Sequence, residues 1–485
     1  MAIQAPIILW FRKDLRLSDH PSLMAAIETG RPVIPLYIHT EAPSSRKQGA
    51  ASKWWLHHSL ESLSKDLNAI GGKMIMRVGD PASVLATICK STRAHAVYVS
   101  KGYEPQMDAQ DQSLANQMGQ VGIQWKSFPG HLLWEPDTIR NKSGKPFQVF
   151  TPFWKSASQS LKPTTPLPVP THWPAPVVWP KSDSLSECNY LPSIHWDQGF
   201  PTVWTPGEQG AHENLKRFAG QKFDSYQVER DFPAIEGTSR LSAHLHFGEI
   251  TPNQILHECL QTGVQAGKSS PSVIQSTFMR EIGWREFAHH LLIHFPSTTE
   301  RPLRPEFESF PWRKDSEMLA AWQKGETGYP IVDAGMRELW ATGWMHNRVR
   351  MIVGSFLVKH LLMDWKEGER WFWDTLVDAD LANNTLGWQW IAGCGADAAP
   401  YFRIFNPITQ SEKFAVNGNY VRRWIPELKD LADAHLHAPW KASASTLEGA
   451  GITLGKSYPN PVVNHMIARE TALDAYQRMR SAKKK

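Results

Sequence analysis

A predicted helix over 279–295 carries an unusual set of chemical groups on one face. Glu281, Trp284, Arg285 and Ala288 fall at i, i+3, i+4 and i+7, the spacing that places side chains on the same side of an α-helix. An acid, a flat aromatic ring and a cation are uncommon together on a face that only packs against a core. The stripe is therefore a candidate binding face.

Three histidines on the same helix raise the question of a metal site. His290 and His294 are four residues apart, and His289 precedes them. No acid or thiol stands nearby at ligand spacing, so we predict packing or surface histidines. The four cysteines are far apart and form no CxxC pair, which argues against disulfide, zinc and iron–sulfur frameworks. We expect no bound metal.

A second polar helix face is predicted from Trp344 onward. Asn347, Arg350, Met351 and Gly354 share that face, so polar groups stand beside a small residue where a ligand can approach.

The segment 378–384 concentrates two carboxylates and two amides in seven residues. The EF-hand spacing is missing, so calcium is not expected. Pairing of these acids with an arginine such as Arg350 is the simplest way to keep them buried.

The segment 237–242, Gly-Thr-Ser-Arg-Leu-Ser, opens a helical stretch. Hydroxyls and free N–H groups at a helix start, with Arg240 beside them, form a site for a phosphate or pyrophosphate. A plain helix N-cap is the alternative that the local pattern leaves open.

Composition sets broader limits. The chain has 485 residues, a net charge of +5 and 22 tryptophans. The modest positive charge suits a polyanionic partner, although many proteins without one share it. The tryptophans suggest stacking on planar ligands or electron transfer, or else a tryptophan-rich core. No apolar run is long enough to cross a membrane, and charge appears too early for a secretory signal, so a cytoplasmic location is expected.

The architecture that must position these residues is predicted in three parts. Short apolar runs at 7–11, 33–38, 74–78, 96–99 and 123–128 alternate with helical patterns, which predicts an α/β domain with a Rossmann-like, five-stranded parallel sheet of buried strands over 1–131. A linker over 132–206 follows, with ten prolines between Leu161 and Pro206. An all-helical domain is predicted over 207–480. No GxGxxG follows the first strand, and the GxGxxA match at 393–398 is treated as chance.

Long segments of this sequence resemble the photolyase/cryptochrome family, and the likeness covers nearly the whole chain. The segments are WFRKDLRLSDHPSL at 10–23, FTPFWK at 150–155, RDFPAIEGTSRLS at 230–242, WREF at 284–287, GYPIVDAGMRELWATGWMHNRVRM at 328–351, DADLANNTLGWQW at 378–390 and DAAPYFRIFNPITQSEKF at 397–414. The family's fold is an α/β antenna domain, a wrapping linker and a helical FAD-binding domain.

The resemblance implies an FAD site. Arg350 and Asp378 would form an ion pair against the isoalloxazine ring, with Asp380 also at the flavin. Asn384 would face flavin N5 and accept its N5–H; plant cryptochromes carry Asp there, so Asn384 favours repair over signalling. The diphosphate and the rest of the cofactor would contact Tyr226, Thr238, Ser239, Arg240, Leu241, Ser242 and Phe278.

The resemblance also implies a pyrimidine dimer flipped out of DNA as substrate. Glu281 and Asn347 would hydrogen-bond the thymine edges, Trp284 and Trp390 would pack on the flat faces of the dimer, and Met351 would line the floor. Further contacts to DNA phosphates or the cavity would come from Arg230, Arg285, Arg348 and Arg403.

In the family's mechanism, excited reduced flavin donates an electron to the dimer, and Glu281 supports the charge that develops there. Trp388, Trp365 and Trp312 match the tryptophan chain that reduces the flavin. Asn347 and Met351 stand where (6-4) photolyases carry histidines.

The sequence is most similar to the class III branch, the sister group of plant cryptochromes. The resemblance to that branch implies 5,10-methenyltetrahydrofolate as the antenna, held differently from class I folate enzymes, which carry a glutamate where this chain has Met107. A deazaflavin is the alternative. The chain is expected to be a monomeric enzyme that repairs pyrimidine dimers in DNA. A blue-light photoreceptor and a flavin oxidoreductase are the alternatives.

Overall fold

The computed structural model describes residues 4–40, 46–398 and 402–482. The chain divides into two compact units. The first unit comprises Met1–His195, Trp204–Phe223 and Ser239–Pro296, and the second unit comprises Trp196–Val203, Asp224–Thr238 and Ser297–Lys485. No helix in the described ranges is long and apolar enough to span a bilayer.

The first unit contains the five-stranded parallel sheet that the sequence predicts. Its strands are β1 (Ile7–Phe11), β2 (Val33–His39), β3 (Ile75–Val78), β4 (Ala96–Ser100) and β5 (Gln124–Phe128), in the order β3-β2-β1-β4-β5. Every residue of β1, β2 and β4 is buried, as expected for the interior strands of a parallel sheet covered on both faces. The prediction that the fifth strand is buried was wrong: β5 is an edge strand and is mostly exposed.

Ten helices accompany the sheet in the described part of the first unit. Several begin with proline in their first turn, where the missing N–H costs no hydrogen bond. They are Pro21–Glu28, Ala50–Ala69, Pro81–Thr92, Pro105–Gln120, Phe150–Ser160, Glu208–Gln221, Ser242–Phe247, Pro252–Gln265, Ser270–Ile274 and Thr277–His294.

The proline-rich stretch belongs to the first unit as far as His195 and contacts its sheet. Trp173 Nε1 donates to the Val33 carbonyl at 2.8 Å, and the Asp183 carboxylate accepts from the Val78 N–H at 2.9 Å. Between Leu161 and Pro206 the backbone forms only short 3-10 turns, at Leu185–Cys188 and Phe200–Thr202, as so many prolines require.

The second unit is helical in the residues described, apart from two isolated bridges. Its core contains Trp322, Trp365 and Trp388 among many aliphatic side chains. The helices are Tyr226–Glu229, Ser316–Lys324, Pro330–Thr342, Asn347–Ser355, Trp365–Thr375, Leu381–Ala392, Pro407–Phe414, Asn419–Trp424, Asp433–Leu436, Ala444–Gly449 and His465–Ala482, with a π-helical turn at Phe356–His360.

The predicted domain boundaries, 1–131, 132–206 and 207–480, stay a prediction. The compact units are drawn differently, because Thr277–His294 packs on Phe150–Ser160 and so belongs to the unit that holds the sheet.

Candidate active site

An arginine–aspartate pair lies at the centre of the site in the second unit. Arg350 projects from the helix Asn347–Ser355, and its Nη2 donates to Asp378 Oδ2 at 2.8 Å. The Arg350 Nε–H donates to the Met345 carbonyl at 2.7 Å, which fixes the guanidinium plane. The Asp378 side chain is only 3% exposed, so the arginine supplies the charge that a buried carboxylate needs. The predicted pairing of Arg350 with an acid of this segment is confirmed.

One oxygen of this pair lacks a donor. Asp378 Oδ1 is buried, and no described residue hydrogen-bonds it. A buried acceptor left in this state costs about 1–3 kcal/mol, so it is a natural contact for a ligand that carries an N–H or O–H group. An isoalloxazine ring or the ribityl chain of FAD offers such groups, so this buried acceptor fits that cofactor.

Asp380 and Asn384 are set by the start of the next helix, Leu381–Ala392. Asp380 is its N-cap and accepts from the Asn383 N–H at 2.9 Å. Asn384, one turn into the helix, is buried, and its Nδ2 donates to the carbonyl oxygen and to Oε1 of Glu369. Capping therefore uses Asp380, while packing against the helix Trp365–Thr375 orients Asn384.

The three tryptophans predicted to conduct electrons run from the interior toward the surface. Trp388 and Trp365 are buried, and Trp312 is partly exposed. A Cβ on Gly368 would lie 2.1 Å from the Trp388 ring, so Trp388 packs directly on the helix that Trp365 begins. An isolated bridge between Arg313 and Met363 holds the segment after Trp312 beside the segment before Trp365.

Basic side chains of the second unit gather around an acid. Arg348 Nη2 lies 2.8 Å from Asp231 Oδ2, and Arg230 Nε lies 3.9 Å from Asp231 Oδ1. The Arg348 guanidinium stacks over Phe414, 4.3 Å from the ring centroid. Arg403 is exposed elsewhere in this unit. We call Arg230, Arg348 and Asp231 the arginine cluster.

The remaining residues assigned to the dimer in the second unit are accessible. Asn347 is exposed at the start of its helix, and Met351 and Trp390 are partly exposed. Their predicted contacts with a dimer stay predictions.

In the first unit, the helix Thr277–His294 is largely buried, yet Glu281 and Trp284 are partly exposed. Trp284 is stacked face to face on Phe150, with ring centroids 3.8 Å apart and an interplanar angle of 9°. One face of the indole is therefore covered, and the ring orientation is fixed. Of the predicted stripe, Glu281 and Trp284 remain accessible, one helical turn apart, and Phe150 supports the Trp284 ring.

Arg285 directly follows Trp284 but is not accessible as that pair is. It is buried, and its Nη1 donates to the His131 carbonyl at 2.9 Å and to Glu286 Oε1 at 3.2 Å. Glu286 also accepts from the Leu133 N–H, and burial raises the pKa of its carboxyl to about 7. These contacts favour a structural role for Arg285 over a contact with DNA.

The neighbouring histidines are packing residues, as predicted. His289 and His290 are buried, and His290 Nε2 accepts from the Phe147 N–H at 3.0 Å. Burial lowers the pKa of His290 to about 4, so it is neutral at pH 7.

The segment predicted to bind a phosphate starts a very short helix. Ser242–Phe247 has six residues, and its N-cap, Leu241, makes no side-chain cap, so the plain N-cap alternative is wrong. Arg240 has φ +56°, in the left-handed region, and its guanidinium lies 5.6 Å from the Trp204 ring centroid. Phe278 packs on Phe218, with centroids 4.3 Å apart. Thr238 and Ser239 are partly exposed, Ser242 is exposed, and Tyr226 is buried under Arg230.

A group of potential metal ligands lies on another helix of the first unit. His57, His58 and Glu61, on the helix Ala50–Ala69, carry potential ligand atoms within 4.8 Å of one another. His57 and His58 are adjacent, about 100° apart around the helix, and the Glu61 side chain is 68% exposed. The expectation of no bound metal stays a prediction.

Sequence reasoning missed the residues that support the site. Phe150 stacks on Trp284, Glu369 holds Asn384, and Asp231 pairs with Arg348. Phe150 and Asp231 lie inside segments that carry the family resemblance. That location indicates functional segments but does not predict which residues Phe150 and Asp231 contact.

Comparisons with known proteins agree with these observations. The family model described as "DNA photolyase" matches residues 7–172, and the one described as "FAD binding domain of DNA photolyase" matches residues 278–478. A deoxyribodipyrimidine photo-lyase of Agrobacterium fabrum is 49% identical over 97% of this chain and 98% of its own length. Cryptochrome-1 of Arabidopsis thaliana is 37% identical over 97% of this chain and 70% of its own length. The crystal structure of a class III photolyase from Agrobacterium tumefaciens superposes with a TM-score of 0.95, at 48% identity, covering 99% of this chain and 98% of the other.

Proposed function

The chain belongs to the DNA photolyase/cryptochrome family, and we propose on that basis that it is a light-driven lyase that splits cyclobutane pyrimidine dimers in DNA. The observation that carries the proposal is the buried Asp378, which pairs with Arg350 while its Oδ1 has no hydrogen-bond donor among the described residues. The similarity of the chain to a deoxyribodipyrimidine photo-lyase, over 97% of this chain, adds support.

FAD is the cofactor of the proposed reaction. Bound and reduced, it supplies the photoexcited electron donor. Arg350 and Asp378 would hold its ring, and the buried Asp378 Oδ1 would accept a hydrogen bond from it. Asp380, Tyr226, Phe278 and residues 238–242 are the other proposed cofactor contacts. Trp388, Trp365 and Trp312 would carry the electron that keeps the cofactor reduced.

The protein's part toward the dimer is to bind, orient and neutralise it. Trp284, held by Phe150, offers one free ring face for stacking, and Glu281 stands one turn away to hydrogen-bond a base edge. Asn347, Met351 and Trp390 are the proposed dimer contacts of the second unit. Arg230, Arg348 and Arg403 would pair with phosphates, which makes affinity depend on salt.

The antenna and the cellular setting are further parts of the proposal. We propose 5,10-methenyltetrahydrofolate as the antenna because the chain is similar to a class III photolyase; a deazaflavin is the alternative. Acid extraction of the purified protein, followed by chromatography of the released pigment, distinguishes them. We further propose that the protein is located in the cytoplasm and is a monomer. Sedimentation analysis of the purified protein tests the monomeric state.

The deciding experiment follows thymine absorbance while reduced protein and a dimer-containing oligonucleotide are illuminated with near-UV or blue light. Recovery of absorbance is expected in light and not in the dark. Glu281→Gln should lower the yield of repair while FAD stays bound. If fully reduced protein restores no thymine under light, the lyase proposal is wrong, and a photoreceptor, the alternative suggested by the similarity to cryptochrome-1, takes its place.

A further inference from the structure

An accessible cation lies on the helix face that carries Glu281 and Trp284. Arg280 immediately precedes Glu281 in the helix Thr277–His294. It stands four residues before Trp284, so the two side chains are neighbours on the helix surface. Arg280 is partly exposed, as Glu281 and Trp284 are. The predicted stripe relied on Arg285 for its positive charge, and because Arg285 is buried, Arg280 is the residue that supplies it.

The Arg280 guanidinium contacts an aromatic ring and no acid. Its Cζ lies 5.4 Å from the centroid of the Phe150 ring, which also stacks on Trp284. Among the described residues, no carboxylate pairs with this guanidinium and no group accepts a hydrogen bond from it. Glu281 is adjacent in sequence, but side chains at i and i+1 of a helix do not face each other. The N–H donors of Arg280 are therefore available to an anionic ligand.

The arginine cluster differs in this respect. Arg348 and Arg230 share Asp231, with N–O distances of 2.8 Å and 3.9 Å. A phosphate that binds either of these arginines must compete with that carboxylate. A phosphate that binds Arg280 meets no such competitor among the described residues. The planar fork of an arginine also matches a phosphate group, which it can bind through two parallel hydrogen bonds.

We propose that Arg280 binds a backbone phosphate of the damaged strand, next to the dimer that stacks on Trp284. The inference rests on the proposed repair function and names a further substrate-binding residue for it. The Cβ atoms of helix neighbours at i and i+4 are about 5–6 Å apart, so a nucleotide stacked on the indole carries its own phosphates close to the guanidinium. Undamaged bases stay inside the duplex, and their phosphates do not reach this face. Arg280 therefore contributes to discrimination between damaged and undamaged DNA.

The test measures affinity by fluorescence anisotropy for matched oligonucleotides with and without one dimer. Arg280→Gln should bind the dimer-containing oligonucleotide about tenfold more weakly, the effect of one hydrogen bond to a charged group. Its salt slope should become shallower by about one, and its affinity for undamaged DNA should not change. Arg280→Lys keeps the charge without the fork and should fall between wild type and Arg280→Gln. Lys90→Gln is the charge-matched control, because Lys90 is exposed on the helix Pro81–Thr92 beside the sheet, and both affinities should stay at wild-type values.

Neutral phosphate analogues separate a direct contact from a disturbed Trp284. Methylphosphonates replace, one at a time, the phosphates within the dimer and on either side of it. One replacement should weaken binding of the wild-type protein about tenfold and leave Arg280→Gln unaffected, because the variant has already lost that contact. A loss caused by a misplaced indole would not depend on the charge of a phosphate.

Two results would overturn the inference. One is that every methylphosphonate weakens wild type and Arg280→Gln by the same factor. The other is that Arg280→Gln loses equal affinity for damaged and undamaged DNA, or none for either. A wild-type protein that binds both oligonucleotides equally well would instead refute the proposed function, before any variant is compared, and the inference would fail with it.

Discussion

Replacing Phe150 with leucine tests whether the orientation of Trp284 matters for recognising damage. The two rings are stacked at 3.8 Å with an angle of 9°, and Phe150 is itself 1% exposed. Leucine keeps the site apolar but removes the flat support. Trp284 then regains rotational freedom, which it must lose again when a dimer binds.

The size of the effect follows from the stacking energy. An offset-stacked aromatic pair contributes about 0.5–1.5 kcal/mol beyond the area that it buries. If that energy serves to hold Trp284 in the geometry that binds, its loss weakens affinity for dimer-containing DNA roughly two- to tenfold. Affinity for undamaged DNA depends on phosphate contacts and should not change.

Fluorescence anisotropy with matched oligonucleotides, with and without one dimer at the same salt concentration, measures both affinities. Phe153→Leu is the control, because Phe153 lies on the same helix, is equally buried, and packs on Phe287 and His290 instead of Trp284. The reasoning is refuted if Phe150→Leu discriminates damaged from undamaged DNA as well as wild type does, or if Phe153→Leu loses as much discrimination.

Three further predictions concern the second unit. Burial lowers the pKa of His360 from 6.5 to about 3, so the unfolded chain binds more protons than the folded protein between these pH values. The contribution of His360 to stability is therefore complete above pH 6.5 and decreases as the pH is lowered, by about 2 kcal/mol at pH 5. In His360→Gln, urea unfolding at pH 5 and pH 7.5 should show about that much less pH dependence, and an unchanged difference would contradict the assigned burial. Asp231→Asn removes the acid that pairs with Arg348 and should strengthen binding to any DNA, with a salt slope steeper by about one; an unchanged slope counts against the arginine cluster as a phosphate site. Trp365→Phe should slow light-driven reduction of the flavin by at least about tenfold and spare repair once the flavin is reduced chemically; photoreduction at the wild-type rate would exclude the proposed path.

The secondary structure could be predicted well because its signals are local. The runs that became β1, β2 and β4 are apolar throughout, and burial on both faces needs no knowledge of partners. The exposure of β5 follows from its position at the edge of the sheet, which depends on strand order. A local signal of it was overlooked, because Gln124, Lys126 and Ser127 are polar, unlike the residues of the interior strands.

The site was predictable in part for the same reason. Glu281 and Trp284 share a face by helical spacing, and Asp378 needed a cation that Arg350 could supply. Phe150 is far from Trp284 in sequence, and Glu369 lies on a different helix from Asn384. Nothing in the local pattern of Phe150 or Glu369 selects these partners from other neighbours. Tertiary packing makes that choice.

The bridge between Arg313 and Met363 makes the outer end of the proposed tryptophan path observable without light. The Arg313 N–H donates to the Leu362 carbonyl at 2.7 Å, and this hydrogen bond ties the segment of Trp312 to that of Trp365. Its amide hydrogen can exchange with solvent only when the two segments separate. The exchange rate of this backbone amide therefore reports how often the segment of Trp312 separates from the segment of Trp365. A variant that weakens the bridge is expected to take up deuterium faster at Arg313, which can be measured without photochemistry.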